Sequence, residues 1–216
     1  MLQIVSTPIG NLEDITYRAI RTLKEADYIA AEDTRHVQIL LNKYEIKTKV
    51  ISYHSYSSSA KVDHIIDLLK EDKNIALVSD AGTPGISDPA YTLITKAVEN
   101  GIRIEPIPGA SSLLAALVAS GKRMNHFVYI GFLPLKKGRQ TMLKSLALEE
   151  RTIIIFESPH RILKTLSHLL EYFGDREIAV CRELTKMFEE IRREKISESI
   201  EYFTKTKPKG EFVLVI

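Results

Sequence analysis

Cysteine is nearly absent. Cys181 is the only one in 216 residues, so an intrachain disulfide and a cysteine zinc cluster are both excluded, and a reducing cytoplasm fits best. No apolar run approaches the roughly 18 residues that a membrane helix needs. The best candidates, Ile153–Phe156, Leu113–Ala119 and Phe212–Ile216, have strand or short-helix lengths. The opening Met1-Leu2-Gln3-Ile4-Val5 lacks the basic flank of a signal peptide, so no export is expected. Familiar nucleotide motifs are missing as well. There is no Gly-x-Gly-x-x-Gly and no Walker-type Gly-Lys-Ser/Thr, which disfavours dinucleotides and phosphate-anchored nucleotides. Without a Gly-x-Ser-x-Gly elbow a hydrolase serine is disfavoured. Six histidines show no ligand spacing, and no metal site is expected.

What remains is an ordinary globular chain. Hydrophobic residues make up 44% and charged residues 27%, too apolar for disorder and long enough for one large domain or two small ones. The net charge of +2 hides an uneven distribution. Residues 1–105 carry 12 basic and 15 acidic side chains, and residues 149–216 carry 12 and 13. The stretch 106–148 holds Lys122, Arg123, Lys136, Lys137, Arg139 and Lys144 and no acid, a net +6. That excess is a candidate landing surface for a polyanion, or simply a solvated helix face and loop.

Short β-branched runs alternate with helical patterns from the first residue. Leu2–Val5, Tyr28–Ala31, Val50–Tyr53, Ile75–Ser79 and Ile102–Ile107 read as buried parallel strands. Between them lie amphipathic stretches, such as Val62, Ile65, Ile66, Leu68 and Leu69 at helical spacing. Asp88-Pro89 predicts a helix start with Asp88 as its cap, and Gly101 a stop. This alternation predicts a doubly wound parallel sheet over residues 1–120. Near Ala119–Asn125 the pattern breaks, and a second domain over 121–216 is expected. Its strands read as Phe127–Phe132, Thr152–Phe156, Glu177–Cys181, Ile200–Phe203 and Phe212–Ile216, with helices near Arg139–Leu148 and His160–Tyr172. The architecture expected is α/β, two α/β domains with a cleft between them, the second with a mixed sheet.

In open parallel sheets ligands gather beyond the carboxyl ends of the strands. Here those loops are Thr7-Pro8-Ile9-Gly10-Asn11, Glu32-Asp33-Thr34-Arg35-His36, Asp80 to Pro89, and Pro108-Gly109-Ala110-Ser111-Ser112. Small residues and prolines dominate three of the four, which lets a ligand approach the backbone closely. A small organic ligand held by backbone contacts suits them. Asp80 could accept from a cationic amino group or a ribose, or organise its own loop as an Asx turn.

Seven segments in register carry a resemblance. They are Pro8-Ile9-Gly10-Asn11-Leu12, Ala31-Glu32-Asp33-Thr34-Arg35, Ser79 to Pro89, Pro108-Gly109-Ala110-Ser111, Gly131-Phe132-Leu133-Pro134, Glu157-Ser158-Pro159-His160-Arg161 and Arg182-Glu183-Leu184-Thr185-Lys186. Together they resemble the ribosomal RNA small-subunit methyltransferase I family, cytidine 2′-O-methyltransferases of the tetrapyrrole-methylase superfamily. The match runs from residue 2 to the final Gly210-Glu211-Phe212-Val213-Leu214-Val215-Ile216. The resemblance implies a class III methyltransferase fold, a homodimer, and S-adenosylmethionine bound between the domains, in keeping with the cytoplasmic location that the single cysteine favours. It implies methylation of a cytidine ribose in small-subunit RNA, free or in the assembled 30S subunit. Cofactor contacts would come from Pro8, Gly10, Asp80, Ala81, Gly82, Thr83, Ile86, Ala110, Ser111 and Ser112, with Phe156 and Glu157 from the second domain. Family members usually continue past the last strand into a small helical extension, and this sequence ends at Ile216.

A ribose hydroxyl is a poor nucleophile and needs a base within reach or a nearby cation. Glu183 and Lys186 offer both, or else a helix-start carboxylate and a surface lysine. For RNA, Asp33 and Arg35 could meet phosphate, or pair with each other to fix their turn. His160 and Arg161 open an expected helix on which a phosphate could rest, although Ser158-Pro159 alone would cap it. Of Phe127, Tyr129 and Phe132, the last is the candidate for stacking a base, and core packing is expected for the others. Two alternatives stay open: methylation of a tetrapyrrole precursor, and a non-catalytic, cofactor-binding RNA-interaction module.

Overall fold

A computed structural model of the protein describes residues 1–53 and 59–216. The chain divides into two compact units, Met1–Ser111 and Ser112–Ile216.

Among the described residues of the first unit, five short strands alternate with four α-helices. They are β1 (Leu2–Val5), α1 (Tyr17–Glu25), β2 (Tyr28–Ala31), α2 (Thr34–Lys43), β3 (Lys49–Ser52), α3 (Ser59–Lys70), β4 (Ile75–Val78), α4 (Ala90–Glu99) and β5 (Ile104–Ile107). All pairings are parallel, in the order β3-β2-β4-β1-β5. The side chains show why. β1, β2 and β4 are almost wholly apolar and buried, as strands covered on both faces must be. One core joins Leu2, Ile4, Ala30 and Leu77 to Ile65 and Ile66 of α3 and Leu93 of α4. Another joins Val5, Ile29, Ala31 and Val78 to Leu23 of α1 and Leu40 of α2. The chain therefore leaves β1 toward one face of the sheet and leaves its neighbour β4 toward the other. Such a divergence between adjacent strands is a topological switch point, where a crevice opens at the carboxyl ends.

Asp88 does not cap α4 in the expected manner. Pro89 is the cap residue, and the Asp88 carboxylate accepts from the backbone of Gly85 and Ala90, both at 2.9 Å. It thus closes the turn before the helix as well as serving the first turn's amides. Gly101, at φ +68°, follows the end of α4 in the left-handed region that a helix stop favours.

The second unit holds α5 (Ser112–Ser120), β6 (Phe127–Phe132), α6 (Arg139–Leu146), β7 (Thr152–Glu157), α7 (Ile162–Phe173), β8 (Glu177–Arg182), β9 (Glu190–Lys195), α8 (Ile196–Thr206) and β10 (Phe212–Val215). Its mixed sheet runs β6-β7-β10-β8-β9, with β6 and β7 parallel and the other pairs antiparallel. Helix α5, which precedes the break at Ala119–Asn125, packs on β8 and β10 of this sheet.

Two elements here differ from expectation. Ile200–Phe203 is helical, inside α8, because Ile196, Ile200 and Phe203 recur at helical spacing and turn one face inward. Glu198 also reaches back to the Lys195 amide at 2.8 Å, which starts the helix. Strand β9 was not expected at all, because Glu-Ile-Arg-Arg-Glu-Lys shows no apolar alternation. It is an edge strand whose same-side residues pair as ions instead. Arg192 meets Glu194 at 2.6 Å and Glu190 at 3.5 Å, and its guanidinium lies 3.6 Å from the centre of the Tyr202 ring.

Candidate active site

The loops after β1, β4 and β5 are tied together. Thr7 and Gly82 exchange backbone hydrogen bonds, 2.9 Å from the Thr7 amide and 3.1 Å from the Gly82 amide. The hydroxyls of Ser6 and Thr83 are 2.8 Å apart, and Thr83 also donates to the Ala110 carbonyl at 3.4 Å. The Thr7 hydroxyl donates to the Ser79 carbonyl at 3.3 Å. Glycine is needed twice. Gly82 sits at φ +78°, where a side chain is strained, and a Cβ on Gly109 would lie 3.0 Å from the Ser6 Cβ. The candidates Pro8, Gly10, Ala81, Gly82, Thr83, Ala110 and Ser111 thus belong to loops meeting around the end of β1. Pro8 and Gly82 are buried there, while Gly10, Ala81 and Ile86 are exposed. Ser112, the residue after Ser111, is the first of α5 in the second unit.

Asp80 links this loop set to β2. Its Oδ1 accepts from the Asp33 amide at 3.0 Å, so it bridges two loops rather than closing its own. Beside it Glu32 carries an electrostatic penalty. Burial, then the negative charges of Asp80 and Asp88, push its carboxyl above the usual range. This end of the sheet therefore holds a negative field in a partly dry place. A backbone cradle beside the carboxylates of Glu32, Asp80 and Asp88 suits a compact cation such as a sulfonium carrying an ammonium group.

Asp33 and Arg35 pair with each other. Asp33 caps α2 through the Arg35 amide at 2.8 Å, and the Arg35 guanidinium doubles the contact at 3.0 and 3.2 Å. Those hydrogen bonds hold the Asp33 carboxyl down to about 2. The Arg35 side chain is 89% exposed, so its outer edge faces solvent.

In the second unit Glu157 is a buried hub. Its carboxylate accepts from the Ser158 amide at 2.8 Å and the Thr165 hydroxyl at 2.5 Å, and it pairs with the Arg161 guanidinium at 3.3 Å. Thr165 in turn accepts from Arg139 at 2.7 Å. Arg139 is buried and also donates to His168 Nδ1 at 3.1 Å. Burial, then Arg139, push His168 below its usual range, which keeps it a neutral acceptor. Arg139 therefore drops out of the basic surface expected over 106–148. Arg161 is the N-cap residue of α7, and its guanidinium pairs with Glu157 and donates to the Leu133 carbonyl. His160 is exposed in the turn before it.

Phe156 stacks edge-on with Tyr129 at 5.1 Å and with Phe132 at 5.9 Å. Phe132 is 49% exposed at the end of β6, and Phe127, expected in the core, is 37% exposed on the same edge strand.

Glu183 and Lys186 come together as an ion triad. Lys186 Nζ lies 2.9 Å from both Glu183 and Glu211, and the Glu211 amide donates to Glu183 at 3.0 Å. Burial opposes the Lys186 charge, but hydrogen bonds to Glu211 and Glu183 outweigh it and raise its pKa. Glu183 feels the same burial, and Lys186 with the Glu211 amide outweighs it, lowering its pKa. Backbone strain marks this loop, since Glu183 and Thr185 sit at φ +49° and +66°. Gly210 makes room, because a Cβ there would lie 2.4 Å from Glu183 carbons.

Three participants escaped sequence reasoning. Ser6 lies just past the strand Leu2–Val5 and Gly109 within the loop Pro108-Gly109-Ala110-Ser111-Ser112, and small residues beyond two neighbouring strands are the signal of a close approach. Glu211 was quoted within a motif but given no role. Among the described residues, no three His, Cys, Asp or Glu side chains are grouped to hold a metal ion, and no helix is long and apolar enough to cross a membrane.

A profile of the tetrapyrrole (corrin/porphyrin) methylases matches residues 1–199. The chain is 50% identical over 215 residues to the ribosomal RNA small subunit methyltransferase I of Thermotoga maritima, spanning 100% of this chain and 97% of that protein. It is 49% identical over 217 residues to the Bacillus subtilis protein of the same description, spanning 100% and 74%. Among solved structures, a diphthine synthase matches with a TM-score of 0.79 at 15% identity, over 100% of this chain and 88% of that one. Cobalt precorrin-4 methyltransferase matches with a TM-score of 0.73 at 21% identity, over 99% and 93%. At those identities the two structures share the fold alone.

Proposed function

The chain belongs to the ribosomal RNA small subunit methyltransferase I family, within the tetrapyrrole methylases, and from that premise we propose its reaction. It transfers a methyl group from S-adenosylmethionine to the ribose 2′-hydroxyl of a cytidine in small-subunit ribosomal RNA. The observation that carries the cofactor half is the loop set at the β1/β4 switch point, with its backbone cradle and its negative field.

The donor supplies an activated methyl group on a sulfonium whose positive charge disappears on transfer. The residues of this chain have three tasks. Ser6, Thr7, Gly82, Thr83 and Ala110 keep the loops in one shape, so that little reorganisation is needed on binding. Glu32, Asp80 and Asp88 favour a cationic ligand through their field. Phe156 belongs to the cofactor contacts carried over from the family, and Glu157 supports it from the buried hub. Lys186 is the cation assigned to the hydroxyl, since it stays protonated and favours the alkoxide form, the hydroxyl proton passing to solvent water. Glu183, held low and already accepting two hydrogen bonds, positions Lys186 rather than acting as a strong base. Arg35 meets phosphate with its exposed edge, with Asp33 as its support, and His160 and Phe132 lie on further RNA contacts. Arg161 acts through the Leu133 carbonyl, fixing the residue after Phe132. The protein works as a cytoplasmic homodimer without a metal, which gel filtration and activity in chelator test.

The direct test is transfer of labelled methyl to small-subunit RNA, free and in the assembled subunit, followed by nuclease digestion. Label recovered as 2′-O-methylcytidine supports the reaction. Label on a precorrin-type ring and on no RNA would replace it with tetrapyrrole methylation.

A further inference from the structure

The stretch from Leu133 to Gly138 joins β6 to α6, and its root is clamped from below. Arg161 donates to the Leu133 carbonyl, and Arg139 donates to the Pro134 carbonyl at 3.1 Å. Both guanidiniums belong to the network around Glu157 and Thr165. The Leu133 side chain is fully buried, and Pro134 has a fixed φ. Beyond this anchored root the next residues turn outward. Leu135 is 71% exposed, and Lys136 and Lys137 are exposed beside it. The exposed residues of α6 that follow, Gln140, Thr141, Lys144 and Ser145, include no acid.

The exposed leucine stands between an aromatic edge and two lysines, and no carboxylate of this stretch neutralises the lysines. Phe132 stands at the base of the loop on the Phe156–Tyr129 stack. Aromatic and apolar faces next to cations on a rigid support form the pattern that single-stranded nucleic acid recognises. Bases meet the flat faces and phosphates meet the ammonium groups. We propose that the Leu135–Lys137 loop with Phe132 is a docking surface for a single-stranded segment of RNA, Lys136 and Lys137 contacting phosphates and Phe132 with Leu135 contacting a base. This rests on the reading of the substrate as RNA and names the chain's own residues that hold it. Arg139 and Arg161 are positioning residues for the loop.

The test is fluorescence anisotropy on the full chain with a short labelled single-stranded RNA of small-subunit sequence, titrated at several salt concentrations. The double variant Lys136→Ala, Lys137→Ala is expected to weaken binding about tenfold and to reduce the slope of log affinity against log salt by about 1.4, two phosphate contacts. Phe132→Ala is expected to weaken binding several-fold and leave that slope unchanged, because stacking releases no counterions. Thermal unfolding of the lysine variant should match the parent, as both lysine side chains are exposed, whereas Phe132→Ala gives up the edge contact with Phe156 and should unfold slightly lower while remaining folded. Unchanged affinity and slope in the lysine variant would overturn the proposal. So would a parent chain that binds polyglutamate as tightly as RNA, which would point to an acidic protein. If the parent methylates no RNA but the lysine variant still loses affinity and slope, the surface stands and the proposed activity falls. If RNA is methylated with an unaltered KM in the lysine variant, the activity stands and the surface falls.

Discussion

Ser6 and Thr83, which follow strands on either side of the switch point, share a hydroxyl–hydroxyl hydrogen bond of 2.8 Å. Their loops leave the sheet toward opposite faces, so this bond and the Thr7–Gly82 bridge hold the crevice mouth at one width. Thr83→Val keeps the shape and removes the hydroxyl, which leaves the Ser6 hydroxyl without that partner. Urea unfolding should show a loss of about 1–2 kcal/mol. Calorimetry should show S-adenosylmethionine binding weakened about tenfold, or about 1.4 kcal/mol.

Gly109→Ala makes a more local demand. The new methyl would sit 3.0 Å from the Ser6 Cβ, so one loop must shift by a few tenths of an ångström. Gly82→Ala instead meets backbone strain at φ +78°, costing about 1–2 kcal/mol. Both should lower cofactor affinity, but only Gly82→Ala should lower the unfolding midpoint strongly. Equal affinity to the parent in both would remove the loop cradle from the account.

Glu32 links function to pH. Its carboxyl is raised in the fold, so the folded state binds its proton more tightly than the unfolded chain does. Its ionisation therefore weakens stability as pH rises from the ordinary glutamate range through the raised value. Glu32→Gln should stabilise the protein above that range and flatten this part of the stability–pH curve. The same change removes part of the negative field and should weaken S-adenosylmethionine binding. A variant both more stable and tighter binding would contradict the role given to this carboxylate.

Gly210 controls the triad from outside it. A methyl there would overlap Glu183 and lie in the left-handed region at φ +86°, so Gly210→Ala should expel the Glu183 carboxylate. Lys186 then keeps only Glu211 as a neighbour among its two carboxylates. Methyl transfer should fall about 10²-fold, the scale of one electrostatic contact in a transition state, with cofactor affinity unchanged. Lys186→Met should fall at least as far and lose the alkaline limb of the pH–rate profile. Both Glu183 and Lys186 have their charged forms favoured, so between acid and strongly alkaline pH this pair should neither gain nor lose protons.

Elements with one dominant signal were legible in the chain. The buried runs of β1, β2 and β4 and the spacing of Val62, Ile65 and Ile66 named their own structure, because burial on both faces or on one stripe leaves few choices. β9 was not, because an edge strand can hold its faces with ion pairs such as Arg192–Glu194. Ile200–Phe203 misled because four apolar-rich residues fit either period until Ile196 is counted with them. The site was legible to the level of loops. Which residues touch within a loop set depends on register between strands far apart in sequence, and Ser6–Thr83 is such a contact. Charge was the least legible property. Arg139 and Arg161 look like surface cations in a basic stretch and at a helix start, yet both are committed to the Glu157 network.

The most direct measurement is a calorimetric titration of the folded chain with S-adenosylmethionine, repeated on Thr83→Val and Gly82→Ala. Micromolar binding at one site per chain is expected, with a clear loss in both variants while each remains folded. No binding to the parent, or binding in both variants equal to the parent, would contradict that expectation.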